Sequence, residues 1–188
     1  MFVNERAARL IASLDSSKAG DHWIEALKDG TPVLIRPLRA ADRELEYQFL
    51  QHLSPLALRF RFLGAVSHVN AALIEELVSL DYHDRMAYVA LVHVDGRLQE
   101  IGGSSYARVA PDDTCQCSIA VADGWQHRGL GSLLLTHLID AARRNGFQKM
   151  SSTQLATDYA VNGLFKKLGF SVYCPTVDGV RTAYERAL

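Results

Sequence analysis

Asp123-Gly124-Trp125-Gln126-His127-Arg128-Gly129-Leu130-Gly131-Ser132 joins two segments of opposite periodicity. Cys115 to Val121, before it, reads as a strand. After it, Leu130, Leu134, Leu138 and Ala141, helped by Leu133 and Ala142, lie on one face of a helix reaching Arg144. Asn145-Gly146 ends that helix. The ten residues are therefore a strand-to-helix junction. The first turn of a helix carries amide hydrogens with no internal partner and a partial positive charge. A phosphate placed there accepts several of those hydrogen bonds at once. Glycine at 129 and 131 removes the β-carbons that would hold a pyrophosphate off the backbone, and Arg128 could add a charged contact. A tight turn whose glycines serve only packing fits the same residues. Two other phosphate motifs do not. A Walker loop needs Gly-Lys-Ser/Thr, and Gly131 is followed by Ser132-Leu133. The dinucleotide fingerprint needs a small residue at position 134, which is leucine.

Outward from the junction the chain reads as mixed α/β. Val33-Leu34-Ile35, Met86 to Val94, Leu98 to Val109, Cys115 to Val121, Met150 to Leu155, Phe170 to Tyr173 and Val180 to Tyr184 are the expected strands, about seven in a mostly antiparallel sheet. Asp95-Gly96 is a hairpin turn between the second and third of them. Helices are expected after Ala40-Ala41-Asp42, from Ser54-Pro55, after the cap residue Asn70, and from Asp158 to Leu168. Residues from Asn4 to Leu27 read as helical pieces. Residues 1–30 are thus expected to be a helical extension and 31–188 the main domain.

Bulk composition narrows the function classes. With 20 basic and 21 acidic residues the chain has no basic excess to favour nucleic acid. No apolar run approaches the roughly 18 residues of a membrane span, and Glu5, Arg6 and Arg9 interrupt any signal-like start. The expected setting is the cytoplasm. Cys115-Gln116-Cys117 has no second cysteine pair to complete a zinc site, so no metal is expected.

Taken with Leu164-Phe165-Lys166-Lys167-Leu168-Gly169-Phe170, the pattern Gln126-x-x-Gly129-x-Gly131 resembles motifs A and B of the GNAT N-acetyltransferase superfamily. Three front-half segments resemble the acetyltransferase domain of bacterial protein-lysine acetyltransferases: Leu27 to Leu38, Leu53-Ser54-Pro55 with Arg59-Phe60-Arg61-Phe62, and Asp81-Tyr82. The resemblance implies a GNAT-type fold from Thr31 onward, acetyl-CoA as cosubstrate, and an amine acceptor, either a small molecule or a protein lysine. A homodimer is possible on this reading.

Carried over residue by residue, the resemblance assigns Ile119, Ala120 and Val121 to the pantetheine arm. It assigns the backbone of Gln126, His127, Arg128, Gly129, Leu130, Gly131 and Ser132 to the pyrophosphate, and Asp158 and Phe165 to further coenzyme contacts. An amide near Val121 would polarise the thioester carbonyl. Plain core packing accounts equally for Ile119 and Val121. Three positions depart from the family. Gln116, nine residues before Trp125, stands where relatives often carry a glutamate base. Glutamine cannot take a proton near neutral pH, but it could orient the amine or a water. Phe165 stands where many relatives have a tyrosine that protonates the leaving thiolate, and Asp158 where an asparagine is common. Tyr159 or Cys117 could substitute chemically. His83, His93 and His127 are read first as satisfied or exposed histidines. The expected function is acetyl-CoA-dependent N-acetylation of a primary amine. The departures at Gln116 and Phe165 keep a non-catalytic acyl-CoA sensor as the alternative.

Overall fold

Alternation at period two builds the centre of the molecule. Along β3 (Arg85–Val94) every residue from Met86 to Val92 is buried. Met86, Tyr88, Ala90 and Val92 enter one core; Ala87, Val89 and Leu91 enter a second core on the opposite face. A strand buried on both faces must be covered by helices on both sides, and it is. The computed structural model describes residues 21–62, 65–66, 68–109, 112–155, 157, 159–175 and 181–188.

The sheet is built from β1 (Trp23–Ala26), β2 (Pro32–Pro37), β3, β4 (Arg97–Val109), β5 (Thr114–Val121), β6 (Lys149–Leu155), β7 (Ser171–Pro175) and β8 (Arg181–Ala187). Their spatial order is β1-β2-β3-β4-β5-β6-β8-β7. Every neighbour pair is antiparallel except β5 and β6, which are parallel. That parallel register covers only Thr114↔Lys149, Cys115↔Met150 and Gln116↔Ser151. Beyond Gln116 the two strands part company, and the rest of β5 faces a gap.

One face carries α1 (Arg43–His52), α2 (Pro55–Arg61) and α3 (Ala71–Val78); the other carries α4 (Leu130–Arg144) and α5 (Tyr159–Lys167). The α4 stripe is the one read from the sequence: Leu130, Leu134, Leu135, Leu138, Ile139, Ala141 and Ala142 are all buried. Each large member contributes roughly 1.5–3 kcal/mol. Asn70 caps α3 through its side chain, which accepts from Leu73 N at 2.9 Å. Asp95-Gly96 makes the β3–β4 turn, both residues having positive φ.

The helical reading of Asn4 to Leu27 fails over its last part. Trp23–Ala26 is a strand, paired with β2 from Trp23↔Ile35 to Ala26↔Pro32. Glu25, Ala26 and Leu27 favour helix locally, but tertiary contacts override them. Trp23 stacks on the His137 ring at 3.9 Å and meets Tyr88 edge-on at 5.4 Å, while Glu25 bonds His137 Nε2 at 3.0 Å. The sheet therefore has eight strands rather than about seven, and it begins before the expected boundary at residue 31. Residues 1–20, and with them the rest of the expected extension, lie outside the described residues.

Candidate active site

The ten-residue junction folds as a 3-10 turn (Asp123–Trp125), a short loop, and the start of α4. Ser54 anchors the turn across the gap: its N and Oγ donate to the Asp123 carboxylate at 3.2 and 3.3 Å. Gln126 Nε2 donates to the Val121 carbonyl and to Asp123 Oδ1, both at 3.2 Å. The loop then turns through His127 at φ 61° and Gly129 at φ 93°, a left-handed geometry that a β-carbon at 129 would strain. Ser132 and Leu133 N–H donate back to the Gly129 carbonyl at 3.0 and 3.3 Å. Ser132 N–H is thereby spent, and the first turn's partnerless amides lie just before it.

These elements enclose a cleft of about 380 Å³. It is lined by Ile119, Ala120 and Val121 of β5, by Gln126, His127, Gly129, Leu130, Gly131 and Ser132 of the junction, by Ser54, Leu56 and Ala57 around the start of α2, and by Val161, Gly163, Leu164 and Lys167 of α5. The Cys117 carbonyl accepts from Ser152 Oγ at 2.9 Å across the β5–β6 gap. Strand alternation turns the backbone N–H and C=O of Ile119 and Val121 toward that same edge. A bound chain laid in the gap would find backbone donors and acceptors there. The two junction glycines fit a close-approaching group for different reasons. Gly129 supplies the left-handed turn. Gly131 stays bare because a β-carbon there would lie 2.9 Å from Leu164 Cδ2 and 3.5 Å from Ile119 Cδ1.

A second cavity, about 270 Å³, continues along β5 in the other direction. Gln116, Cys117 and Ser118 line it, with Arg61 at the end of α2 and Phe62 just after it, Arg85 of β3, Ser105 and Tyr106 of β4, and Thr153 and Gln154 of β6. The cavity's share of β5 thus ends at Ser118 and the cleft's begins at Ile119. Cleft walls carry the coenzyme-type residues, and the cavity carries Gln116.

Several expectations land elsewhere. Arg128 does not line the cleft. Its guanidinium pairs with Asp29 at 3.0 Å and lies over the Trp125 ring, 4.8 Å from its centroid. Arg128 also holds Asp29's carboxyl below its usual range, after a larger effect from the bonds of Thr31. Phe165 is fully buried, 4.7 Å from Phe170 and 5.6 Å from Tyr184 between ring centroids. It is its neighbour Leu164 that faces the cleft. One helix residue is a rotation of about 100°, enough to exchange core for cleft. Asp158 lies outside the described residues. Tyr159 is 82% exposed and lines neither space. Burial pushes the Cys117 thiol well above its usual pKa, which removes it as a nucleophile or acid near neutral pH. His83 bonds Asp84 at 2.8 Å at the surface and lines neither space; nor does His93. Among the described residues no group of three or more His, Cys, Asp or Glu could hold a metal, and no helix is long and apolar enough to cross a membrane.

Two cationic side chains of the cleft escaped the sequence reading. Lys28 reaches it because its backbone N–H donates to the Arg128 carbonyl at 3.0 Å, a contact across a hundred residues that leaves no local signal. Lys167 had a signal. It lies on the same helix face as Leu164, three residues on.

A model of the acetyltransferase (GNAT) family matches residues 59–170, from the last turn of α2 through the junction to just past α5. The chain belongs to the GNAT acetyltransferase family. Members of that family use acetyl-CoA as acetyl donor. Acetyltransferase PA5475 of Pseudomonas aeruginosa is 50% identical over 169 residues, covering 90% of this chain and 91% of that protein. The [ribosomal protein bS18]-alanine N-acetyltransferase of Escherichia coli is 34% identical over 87 residues, covering 43% of this chain and 59% of that one. Among solved structures, the GNAT domain of Streptomyces lividans PAT superposes with a TM-score of 0.80 at 24% identity, over 89% of this chain and 97% of that domain. The yncA protein of Salmonella typhimurium, solved with acetyl-CoA, superposes with a TM-score of 0.62 at 23% identity over 83% and 94% of the two chains. In this GNAT chain the cleft lies where the one parallel pair of the sheet among the described residues opens.

Proposed function

We propose that this GNAT protein transfers an acetyl group from acetyl-CoA directly to a primary amine that enters the 270 Å³ cavity. The supporting observation is that consecutive residues of β5 line the two spaces. Ile119 to Val121 face the cleft and Gln116 to Ser118 the cavity, so a thioester carried on the first would end at the mouth of the second. Acetyl-CoA supplies an activated acetyl group whose leaving group, the thiolate of a thiol with a pKa of roughly 8.5, departs far more readily than an amide ion would. Junction amides and the side chains of Lys28 and Lys167 would hold its phosphates, and the β5 edge its pantetheine arm.

Backbone N–H groups of β5 facing the gap sit where they could stabilise negative charge on the thioester oxygen, an effect of roughly 10²–10³ in rate per donor. Gln116 orients the acceptor through its amide oxygen and takes no proton. The amine attacks the carbonyl carbon, the C–S bond breaks, and the surplus proton passes to solvent. No protein acid is needed for a thiolate to leave, so Phe165 does not block turnover. A protein lysine is one acceptor consistent with the likeness to PAT, though that likeness bears on fold alone.

The test measures free thiol release from acetyl-CoA with a panel of amines, beside titration calorimetry with acetyl-CoA alone. Binding with amine-dependent thiol release supports the proposal. Binding without release for any amine favours an acyl-CoA sensor instead.

A further inference from the structure

We infer that the acceptor is a small amine that also carries a carboxylate, and that Arg61 and Arg85 receive that carboxylate in the 270 Å³ cavity. This rests on the acetyl-transfer reading above and narrows its substrate class. Among the described residues that line the cavity, the charged side chains are these two arginines, with no aspartate or glutamate. The rest of the polar lining is amide and hydroxyl, including Gln116, Ser118 and Gln154. A cavity of this make-up attracts an oxyanion and repels a lysine-like chain that brings only positive charge. Its volume sits just under the usual range for small-molecule sites, which start near ~300 Å³, and suits a free amino acid better than a peptide segment.

Geometry keeps the arginine charge available. Arg61 donates to Ser118 Oγ and, at 3.2 Å, to Ser105 Oγ, so its guanidinium is held by two neutral hydroxyls bridging β5 and β4. Arg85 gives one guanidinium bond to the Glu76 carbonyl at 2.8 Å. Behind Arg61 lie the buried carboxyls of Glu46 and Glu100, on α1 and β4. Both oxygens of Glu100 are buried without a donor. Burial first, then the neighbouring Glu46, drives its pKa well above normal; burial raises that of Glu46 too, against the pull of Arg61. Two carboxyls sharing a buried site do not both ionise readily, so they do not set two full negative charges behind the guanidinium. Arg61 holds its guanidinium on the Ser105 and Ser118 hydroxyls at the cavity wall, and a guanidinium stays charged even when burial lowers its pKa.

The same field serves the chemistry. Positive surroundings lower the pKa of a bound ammonium, favouring the neutral amine that must attack. A carboxylate fixed on the arginines holds that amine beside Gln116, the neighbour of Ser118 two residues along the same strand face.

The test compares amino acids with their carboxamides and with the decarboxylated amines, alongside aminoalkyl phosphates and a lysine peptide blocked at both ends. Kinetics are measured at saturating acetyl-CoA for the wild type, Arg85→Met and Arg61→Lys. The expected result is a kcat/KM at least tenfold higher for the carboxylate than for its amide. That preference collapses in Arg85→Met, while KM for acetyl-CoA holds. Aminoalkyl phosphates are expected to fall below carboxylates. Equal turnover of acid and amide, preference for the blocked peptide or the phosphate, or a carboxylate preference surviving in both variants overturns the inference and leaves acetyl transfer standing. Absence of transfer to every amine, with coenzyme bound, overturns the acetyl-transfer reading itself and this inference with it.

Discussion

Gly131 and Leu164 meet so closely that a β-carbon on the glycine would lie 2.9 Å from Leu164 Cδ2. The first turn of α4 and the middle of α5 are thereby set at contact, and Leu164 forms part of the cleft wall. Gly131 has an ordinary negative φ, so alanine there gains helix propensity of roughly 1 kcal/mol while costing about as much in overpacking. Gly131→Ala should leave the melting temperature within a few degrees of wild type. The displaced Leu164 side chain narrows the cleft, and the dissociation constant for acetyl-CoA should rise about tenfold, or 1.4 kcal/mol. Adding Leu164→Ala should recover most of that affinity. Titration calorimetry on the three variants decides it, and failure of the double variant to recover would separate the glycine's role from Leu164.

Lys28 lines the cleft beside Gly129, whereas Arg128 is engaged with Asp29 and Trp125. Charge reversal at an exposed lysine that meets a phosphate should weaken acetyl-CoA binding by about tenfold at low salt, with the gap closing as salt screens it. Arg128→Ala should do less than Lys28→Glu. The ranking is read from KM for acetyl-CoA at low and high ionic strength. A larger effect at Arg128 would mean that its guanidinium leaves Asp29 when coenzyme binds.

Those two positions also mark where the sequence could be read and where it could not. The meander, the α4 stripe and the junction carry their own signals: alternation, an Asp-Gly turn, glycines after a strand. Such signals are local, so they survive without tertiary information. Trp23–Ala26 is a strand only because Trp23 finds His137 and Tyr88, and no window around residue 23 contains either. Lys28 belongs to the cleft through a bond to Arg128. The cluster of Arg61, Glu46 and Glu100 joins α2, α1 and β4, so charge count alone could not assemble it. Leu164 in the cleft wall and Phe165 in the core differ by one helical step, a resolution that motif spacing does not reach.

Gln116 faces the cavity with groups that do not change charge between about pH 6 and 9. Arg61 of α2 and Arg85 of β3 stay cationic. Burial pushes the Tyr106 hydroxyl of β4 up to about 12, and the Cys117 thiol of β5 is raised as well. The acceptor's kcat/KM should therefore rise with pH along the amine's own titration, without a protein base on the acid side. Gln116→Ala should lower kcat less than about tenfold and leave the profile's shape unchanged. An acid limb that stays fixed when acceptors of different pKa are compared would reveal a protein base.

Glu100 gives a prediction about stability. Its folded pKa is raised, by burial and then by Glu46. Below the unfolded value of about 4.3 the carboxyl is protonated in both states and costs nothing. Above it the unfolded chain ionises first, so stability is lost as pH climbs toward the folded pKa, by up to about 1.4 kcal/mol per unit. Glu100→Gln removes this loss, and its amide can donate to Glu46. Carboxyls held below their usual range, such as Asp81 and Asp84 with their hydrogen bonds, act in the opposite direction but equally in both proteins. Urea unfolding at pH 5 and pH 7 should thus show the wild type losing ground to Glu100→Gln, with the m-value constant. If the two proteins changed in parallel, Glu100 would be ionised in the folded state. Arg61 would then be neutralised from behind, and the positive cavity would lose half its charge.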